Sequence, residues 1–543
     1  MKKKIFSVLL VCMLVFSAFA FVSCGTTEGS GSGSGNGSGS GDNPGVEKPS
    51  EDSVYYRQFG AKGDGKTDDF DAIVKAHEYA NQNGKPVAAD EGATYYIGAH
   101  AATVNIQTDV NWGTAKFIID DSQVGQRDCG WNIFEVKSDE DSYNVSVPKG
   151  YSLKKGQGNL NIRFEKPVML KIVNRNKKDY IRYGANQNGG SNRQEIILVD
   201  EDGDVDKDTP ILWDYDTVTS MTAYSITDKE VTVQGGEFTT ITNSMTVGTT
   251  YYARGIKVTR SNTTLLNIKH YIEGEPEPEE NPPETPTPGN SSAPYNGFFN
   301  VSSANNVTIK NCIMTGHVAY TWKKPTGWVQ QGTYDAKADN ANNVAWVGCT
   351  QSNSISDTKF WGVMASNFCK NLKMDQCELS RFDAHQGVYN ATITNTTLGR
   401  NFNILGAGTL WVENVTRTSG DNFIWLRSDY GSTWEGDAVF KNCTMETDEN
   451  NFSIMSGSWT DWDFGYTCYL PENVTIDNFT IKGNATGYIY SSFTSSSANA
   501  VKNSAKNPYQ ITKTVTVKNQ TSPLQLTSNQ TGLFDDTQVI GLK

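Results

Sequence analysis

The chain has 543 residues, 50 of them glycine; 20% are charged, and the formal net charge is −13. A chain this acidic, with no basic stripe, is poorly suited to nucleic acid, although an anionic polysaccharide needs only a local cluster of Arg and Lys. Length alone favours several domains, but a β-solenoid escapes that prior because each coil buries only against its neighbours. Abundant Gly, Ser, Thr and Asn suit short strands and tight turns better than helices.

Residues 1–24, MKKKIFSVLLVCMLVFSAFAFVSC, combine a Lys-rich start, a short apolar run and Phe-Val-Ser-Cys. They resemble a bacterial lipoprotein signal with its lipid-accepting cysteine at Cys24, and a plain secretory leader is the alternative. Residues 25–52 continue as a Gly/Ser-rich linker, a flexible tether that would hold a domain off a membrane surface. The implied location is exported, lipid-anchored at the bacterial cell surface or outer membrane, with the anchor as the sole membrane contact. Cys12 and Cys24 belong to the leader, which leaves an odd seven cysteines of the nine and so at least one unpaired thiol. Cys312, Cys349, Cys377 and Cys443 follow strand-like runs at one offset, which suits an internal stack of small hydrophobes better than disulfides. No Cys-x-x-Cys or His-rich pattern indicates a metal site.

Tyr55–Asp69, YYRQFGAKGDGKTDD, opens the folded part, taken as an N-terminal cap and first coil over 53–120. The loop lacks the spacing of a phosphate loop. Thr67 is placed to cap a helix with Phe70, Ile73, Val74 and Ala80 on its apolar face. Asn83-Gly84 ends that helix, and strand-turn-strand follows over Lys85–Ile97. This opening resembles the N-terminal cap of the pectate lyase/polygalacturonase β-helix superfamily, in which, the resemblance implies, the helix plugs the first coil. Residues 121–224 lack any repeat and read as a β-rich insertion, with strands at Asn144–Val147, Val168–Val173, Glu195–Val199 and Ile211–Trp213. Asp200–Asp208, DEDGDVDKD, does not fit the twelve-residue calcium loop and reads as an acidic surface turn. No cofactor is required by this reading, and a calcium requirement is left open.

Over 225–543 a repeat appears: VTVQGGEF from Val231, VTIKNCIM from Val307, VAWVGCTQ from Val344, LKMDQCEL from Leu372, ATITNTTL from Ala391, LWVENVTR from Leu410, AVFKNCTM from Ala438 and VTIDNFTI from Val474. From Cys312 the equivalent positions are Cys349, Cys377, Thr396, Val415, Cys443 and Phe479, at steps of 37, 28, 19, 19, 28 and 36 residues. A constant strand-turn-strand unit with one variable loop is the signature of a parallel β-helix. The fold class is therefore all-β, a right-handed parallel β-helix with an N-terminal capping helix and a β-rich insertion. Recurring Asn311, Asn395, Asn442 and Asn478 can hydrogen-bond from coil to coil. Residues 273–294, rich in Pro and Glu, read as a solvated loop between two coils.

A second strand precedes each aligned run. Alternation assigns Ile256, Val258, Phe298, Val363, Val388, Ile404 and Leu426 inward, and Lys257, Phe299, Met364, Tyr389, Asn403, Trp425 and Arg427 outward. With Trp361, His385 and Asp429 at strand ends, one face carries aromatics and charges together, a surface suited to a sugar chain or simply a solvated polar sheet. Within it, Phe382-Asp383-Ala384-His385-Gln386 followed by Asn390-Ala-Thr-Ile393 resembles the Phe-Asp-Pro-His-Glu…Asn-Leu-Thr-Ile stretch of mannuronan C5-epimerases. The resemblance implies that Asp383 positions or neutralises a uronate carboxylate and that His385 is an acid/base at C5. Ala384 stands for that family's Pro, and Gln386 for its Glu. Arg427-Ser-Asp429-Tyr430-Gly-Ser-Thr-Trp434-Glu435 leaves the strand two coils later, on the order of 10 Å along the axis at about 4.8 Å per rung.

The favoured centre is Asp383, His385, Arg427 and Asp429. Arg381 is a carboxylate clamp, and Gln386, Tyr389, Trp361, Trp425, Tyr430, Trp434 and Glu435 are candidate substrate contacts. The function expected is polysaccharide lyase or epimerase chemistry on uronic-acid glycans. A glycoside hydrolase pairing Asp383 with Asp429 or Glu435 and a non-catalytic glycan-binding lipoprotein are the alternatives.

Overall fold

The computed structural model of the protein describes residues 52–542 apart from 184–188, 247–249, 278–290, 325–326, 332–333, 460–461, 492, 494–506 and 529–531. The leader with Cys24, most of the linker and the middle of the Pro/Glu-rich loop lie outside the described residues. Among the described residues no helix is long and apolar enough to cross a membrane.

Three columns of short parallel strands wind round one apolar core. The first column is the aligned repeat: Val307 pairs with Val344, Ala391 with Leu410, Leu410 with Ala438 and Ala438 with Val474. Two coils that the repeat reading passed over, Thr263–Leu266 and Thr514–Lys518, belong to the same column. Alternation in these strands sends Val307, Ile309, Leu372, Met374, Leu410, Val412, Val474 and Ile476 into the core.

The fifth position of each run matters for its backbone. Asn267, Asn311, Gln376, Asn395, Asn414, Asn442, Asn478 and Asn519 all have φ between 48° and 59°, a left-handed conformation that Asn tolerates better than most residues. It turns the chain sharply from the first column into the second. The side chains also form rungs: Asn414 donates to Asn395 at 2.9 Å and Asn478 to Asn442 at 3.0 Å. The next residue points inward, so Cys312, Cys349, Cys377 and Cys443 stack with Thr396, Val415 and Phe479 in the core. All seven cysteines among the described residues are free and buried.

The helix runs over Phe70–Asn83 and ends at Gly84, φ 62°. Its Ile73, Ala76, His77 and Ala80 are buried in the core of the first coils. Thr67 does not cap it: the N-cap is Asp69, and Thr67 sits in the strand Asp64–Asp68 with its hydroxyl on Asp64. The carboxylate of Asp68 accepts the N–H of Phe70 at 3.1 Å instead.

The chain departs from the coils later than residue 121, because Phe134–Val136 still pairs with Val104–Ile106 and Ile256–Val258. It rejoins at Val231. Between lies an antiparallel sheet of Tyr143–Val145, Val168–Asp179, Ser191–Val199 and Ser220–Ser225, with its own small core that includes Leu170, Ile172, Ile197 and Tyr215. Ile211–Trp213 is not a strand, and Ser220–Ser225 supplies the fourth strand instead, between Tyr143–Val145 and Val168–Asp179. The acidic turn is closed on itself: Asp200 accepts the backbone N–H groups of Asp202 and Asp204 at 3.0 and 2.9 Å.

This sheet lies against the coil wall near residues 370–435. Lys370, buried, donates to Glu195 at 2.8 Å and to the Pro210 carbonyl at 2.5 Å. Gln386 donates to Ser191 at 2.9 Å, and Lys155 pairs with Glu435.

A candidate active site at the junction of insertion and coils

The strand Glu378–Thr394 carries Arg381 through Gln386, with Phe382 in the inward stack between Met364 and Phe402. Asp383 stands level with Ala365 and Asn403, and Asn403 with Trp425. Two residues after Trp425, Arg427 enters a tight turn, Ser428–Tyr430, closed by Gly431 at φ 89°. That turn brings Asp429 back beside its own arginine.

The result is one ionic network. Arg427 donates to both oxygens of Asp383 at 2.8 Å, and to Asp429 at 3.1 and 2.6 Å. Arg381 adds a bond to Asp383 at 2.7 Å. The two carboxylates therefore share a single guanidinium and do not stand two rungs apart with room for a sugar between them, because the side chain of Arg427 reaches back along the stack.

Arg182 is the member that sequence reading missed. It comes from the insertion, 203 residues from His385, and its Nη2 lies 2.8 Å from His385 Nε2. Its Nε is ion-paired with Asp429 at 2.9 Å, and the backbone of Tyr183 also donates to the Asp429 carbonyl. Arg182 has only donors to offer, so Nε2 accepts and His385 carries its proton on Nδ1. The hydroxyl of Tyr430 lies 3.3 Å from the same nitrogen.

Burial and charge set the protonation states. Burial alone would raise Asp383, but the charges of Arg427 and Arg381 outweigh it and hold the carboxyl at about 2. Burial, then the charge of Arg427, lowers His385 to about 4, so it is neutral at pH 7. Burial opposes the charge on Arg427, while Asp383 and Asp429 restore it and carry its pKa above the usual value. Three arginines face two carboxylates and a neutral imidazole, which leaves one positive charge over. The partly open edge is Arg182 and Asp429, at 20% and 18% side-chain exposure, against 5% for Arg427.

The remaining candidates divide. Trp425 stays part-exposed, with the guanidinium of Arg427 5.5 Å from its ring. Trp361 is nearly buried between Arg381 and Arg400, at 5.2 and 4.5 Å from its ring, so it offers no open stacking face. Trp434 is fully buried and spends its indole N–H on the carbonyls of Gly408 and Asp437, which makes it a core residue and not a substrate contact. Tyr430 is buried too and backs His385 edge-on, with ring centres 5.6 Å apart. Phe299 and Met364 point inward, not outward: they stack through Ala336 with Ile256, because the strand after Gly297 (φ 96°) shifts register between Asn296 and Phe299. Val388 and Tyr389 belong to a different wall, paired with Cys369 and Lys370 on one side and Gly406 and Ala407 on the other. Gln386, Tyr389 and Glu435 line a separate cleft of ≈ 300 Å³ between insertion and coils. Among the described residues no group of three or more His, Cys, Asp and Glu side chains is placed to hold a metal ion.

No protein-family model matches the chain, and no curated protein matches it significantly in sequence. Solved structures do match. The tailspike protein gp49 of Pseudomonas phage LKA1 is 12% identical, with 89% of this chain and 84% of that one covered, at a TM-score of 0.50. The tailspike gp61 of Pseudomonas phage phi297 is 11% identical over 90% and 84%, at 0.49. The gp54 tailspike of Acinetobacter baumannii phage AP22, solved with a capsular saccharide, is 10% identical over 90% and 79%, at 0.43. What the LKA1 likeness shows, together with the three parallel columns, is the fold: a right-handed parallel β-helix of the pectate lyase/polygalacturonase architecture.

Proposed function

We propose that the protein acts on an acidic polysaccharide, with Arg182 as the clamp for a uronate carboxylate and His385 as the base that removes the C5 proton. One observation carries this: an excess positive charge at the open edge of a network that also holds a neutral imidazole accepting from Arg182. A planar carboxylate suits a guanidinium bidentately. A substrate carboxylate taking Arg182 would free the Nε2 lone pair of His385. That lone pair then takes the C5 proton, and the C–H electron pair moves into the carboxylate, where Arg182 balances the charge. Return of a proton to the opposite face gives the epimer; expulsion of the C4 oxygen with a proton gives an unsaturated uronate.

Asp383 takes a different role from the one the epimerase resemblance implies. An anion already held by two arginines has no proton to give and no reason to approach a second carboxylate. It fixes Arg427 and Arg381, which makes it a positioning residue. The same low pKa weighs against Asp383 as the general acid of a glycosidase, which must stay protonated near neutral pH. The chemistry assigned uses only side chains of this chain. The leader with Cys24 would place the protein at the outer surface of a bacterium, where such polysaccharides occur.

The test is incubation of the purified protein with alginate, pectate, hyaluronan and heparin, with ultraviolet absorbance, reducing ends and deuterium uptake at C5 followed together. Absorbance marks the lyase, deuterium uptake without absorbance the epimerase. His385→Ala is expected to abolish either while binding persists. Reducing ends without absorbance, or full activity of His385→Ala, would overturn the assignment. Retention on the polysaccharide with no product under any readout would leave a binding protein.

A further inference from the structure

We infer that the cleft between the inserted sheet and the coil wall binds one uncharged pyranose ring, next to the acidic unit held by Arg182. The inference rests on the proposed reading for its choice of a sugar as ligand, but its geometry is independent of His385.

The floor of the cleft is nearly bare backbone, from Gly387, Gly406 and Ala407. That bareness is enforced: a Cβ on Gly406 (φ 149°) would lie 1.9 Å from the Val388 carbonyl, and one on Gly387 (φ 87°) 2.5 Å from the Tyr180 hydroxyl. Rungs approach here more closely than side chains allow, which leaves a trough instead of a packed surface. Tyr389 and Tyr469, both part-exposed, stand along it. Such aromatic surface suits the apolar face of a pyranose, and the amide of Gln386 and the carboxylate of Glu435 can serve its hydroxyls. A volume of ≈ 300 Å³ is at the small end for ligand sites, enough for a ring and not for a chain.

Charge distinguishes this cleft from its neighbour. Lys155 is paired with Glu435, Lys370 with Glu195 and Arg193 with Asp179. Of the charged groups on the lining this leaves, among the described residues, Lys177 and Asp214, one of each sign. A cavity so balanced has no excess charge to attract an anion, whereas the arginine network beside it has one. The two sites share a wall. Gln386 follows His385 in the chain, and Tyr180, which lines the cleft, packs edge-on to Tyr430 at 6.0 Å. A glycan in which an acidic unit alternates with or carries a neutral one would fill both.

Saturation-transfer NMR on the full chain tests this, with the methyl glycosides of glucose, galactose, mannose and N-acetylglucosamine as probes and methyl glucuronide as the charged comparison. At least one neutral glycoside is expected to receive saturation from wild type and from His385→Ala alike, and to bind about tenfold more weakly to Ala407→Trp, whose indole fills the trough. Tyr389→Ala serves as a second variant if Ala407→Trp does not fold. Failure of every neutral glycoside, binding unchanged in both variants, or tighter binding of the glucuronide at the same site would overturn the inference. Turnover lost in His385→Ala without neutral binding sinks the cleft alone; neutral binding without turnover of any acidic polymer sinks the proposed chemistry alone.

Discussion

Arg427→Met is the perturbation that reads the network most directly. Methionine keeps most of the aliphatic length and removes four hydrogen bonds, two to Asp383 and two to Asp429. Stripping one partner from a buried ion pair costs about 3–5 kcal/mol, mostly as uncompensated charge. Here Asp383 keeps Arg381 at 2.7 Å and Asp429 keeps Arg182 at 2.9 Å, so the lower figure, about 3 kcal/mol, is expected. A solenoid transmits strain chiefly between adjacent coils, so the loss is best read by hydrogen exchange of amides in 381–386 and 425–430 alongside urea unfolding. The variant also removes a charge that depresses His385, whose pKa should rise from about 4. The chain has 5 histidines, so labelled-histidine NMR can follow it. Adding Asp383→Leu to Arg427→Met should restore part of the stability, because it removes the carboxylate left exposed to an apolar site. A single-variant loss below about 1 kcal/mol, with His385 unmoved, would show that the network is solvated and would refute the reasoning.

Three further outcomes follow from the same structure. His385 is held neutral in the fold, with its pKa lowered from 6.5 to about 4; the stability this gives is complete above pH 6.5 and is lost as pH falls towards 4, because only the unfolded chain takes up the proton. The difference between wild type and His385→Gln in urea should accordingly shrink by about 3 kcal/mol across that window, and a constant difference would contradict it. Asp335 is fully buried, and burial pushes its carboxyl pKa well above 3.8, so its contribution worsens as pH rises; Asp335→Asn should gain about 1–3 kcal/mol at pH 8 and little at pH 4, measured by the same unfolding. Asn442→Ala places a Cβ-bearing residue without a side-chain bond at φ 51° and removes the acceptor for Asn478, a loss of about 1–3 kcal/mol, while Asn442→Gly should lose less because glycine meets the backbone requirement.

The first column was legible except for the coils at Thr263–Leu266 and Thr514–Lys518, because its determinants are local. Apolar alternation and a left-handed fifth position, Asn in most coils and Gly235, Gly348 or Gln376 in others, recur from coil to coil, and each can be counted without knowing the neighbours. The third column was misread by one residue at Phe299 and Met364, because a register shift at Gly297 moves the phase while leaving the composition apolar on both faces. Arg381, Asp383, His385, Arg427 and Asp429 were found together because stacking converts numerical distance into adjacency. Arg182 could not be found that way. It approaches from an insertion with no periodicity, and nothing in Tyr180-Ile-Arg-Tyr183 specifies a partner 203 residues away.

That contrast bears on how such a site can arise. Four of its side chains, Arg381, Asp383, Arg427 and Asp429, neutralise one another and would brace the wall of any solenoid. With Arg182 absent, the same group has two arginines against two carboxylates and no excess charge, and His385 Nε2 faces only Tyr430. The insertion supplies both the surplus cation and the second wall of the neighbouring cleft. The surplus positive charge is therefore a property of the junction and not of the coil, so under the proposed function a chain that kept the helix and lost residues of the inserted sheet should keep its fold and lose the preference for a carboxylate.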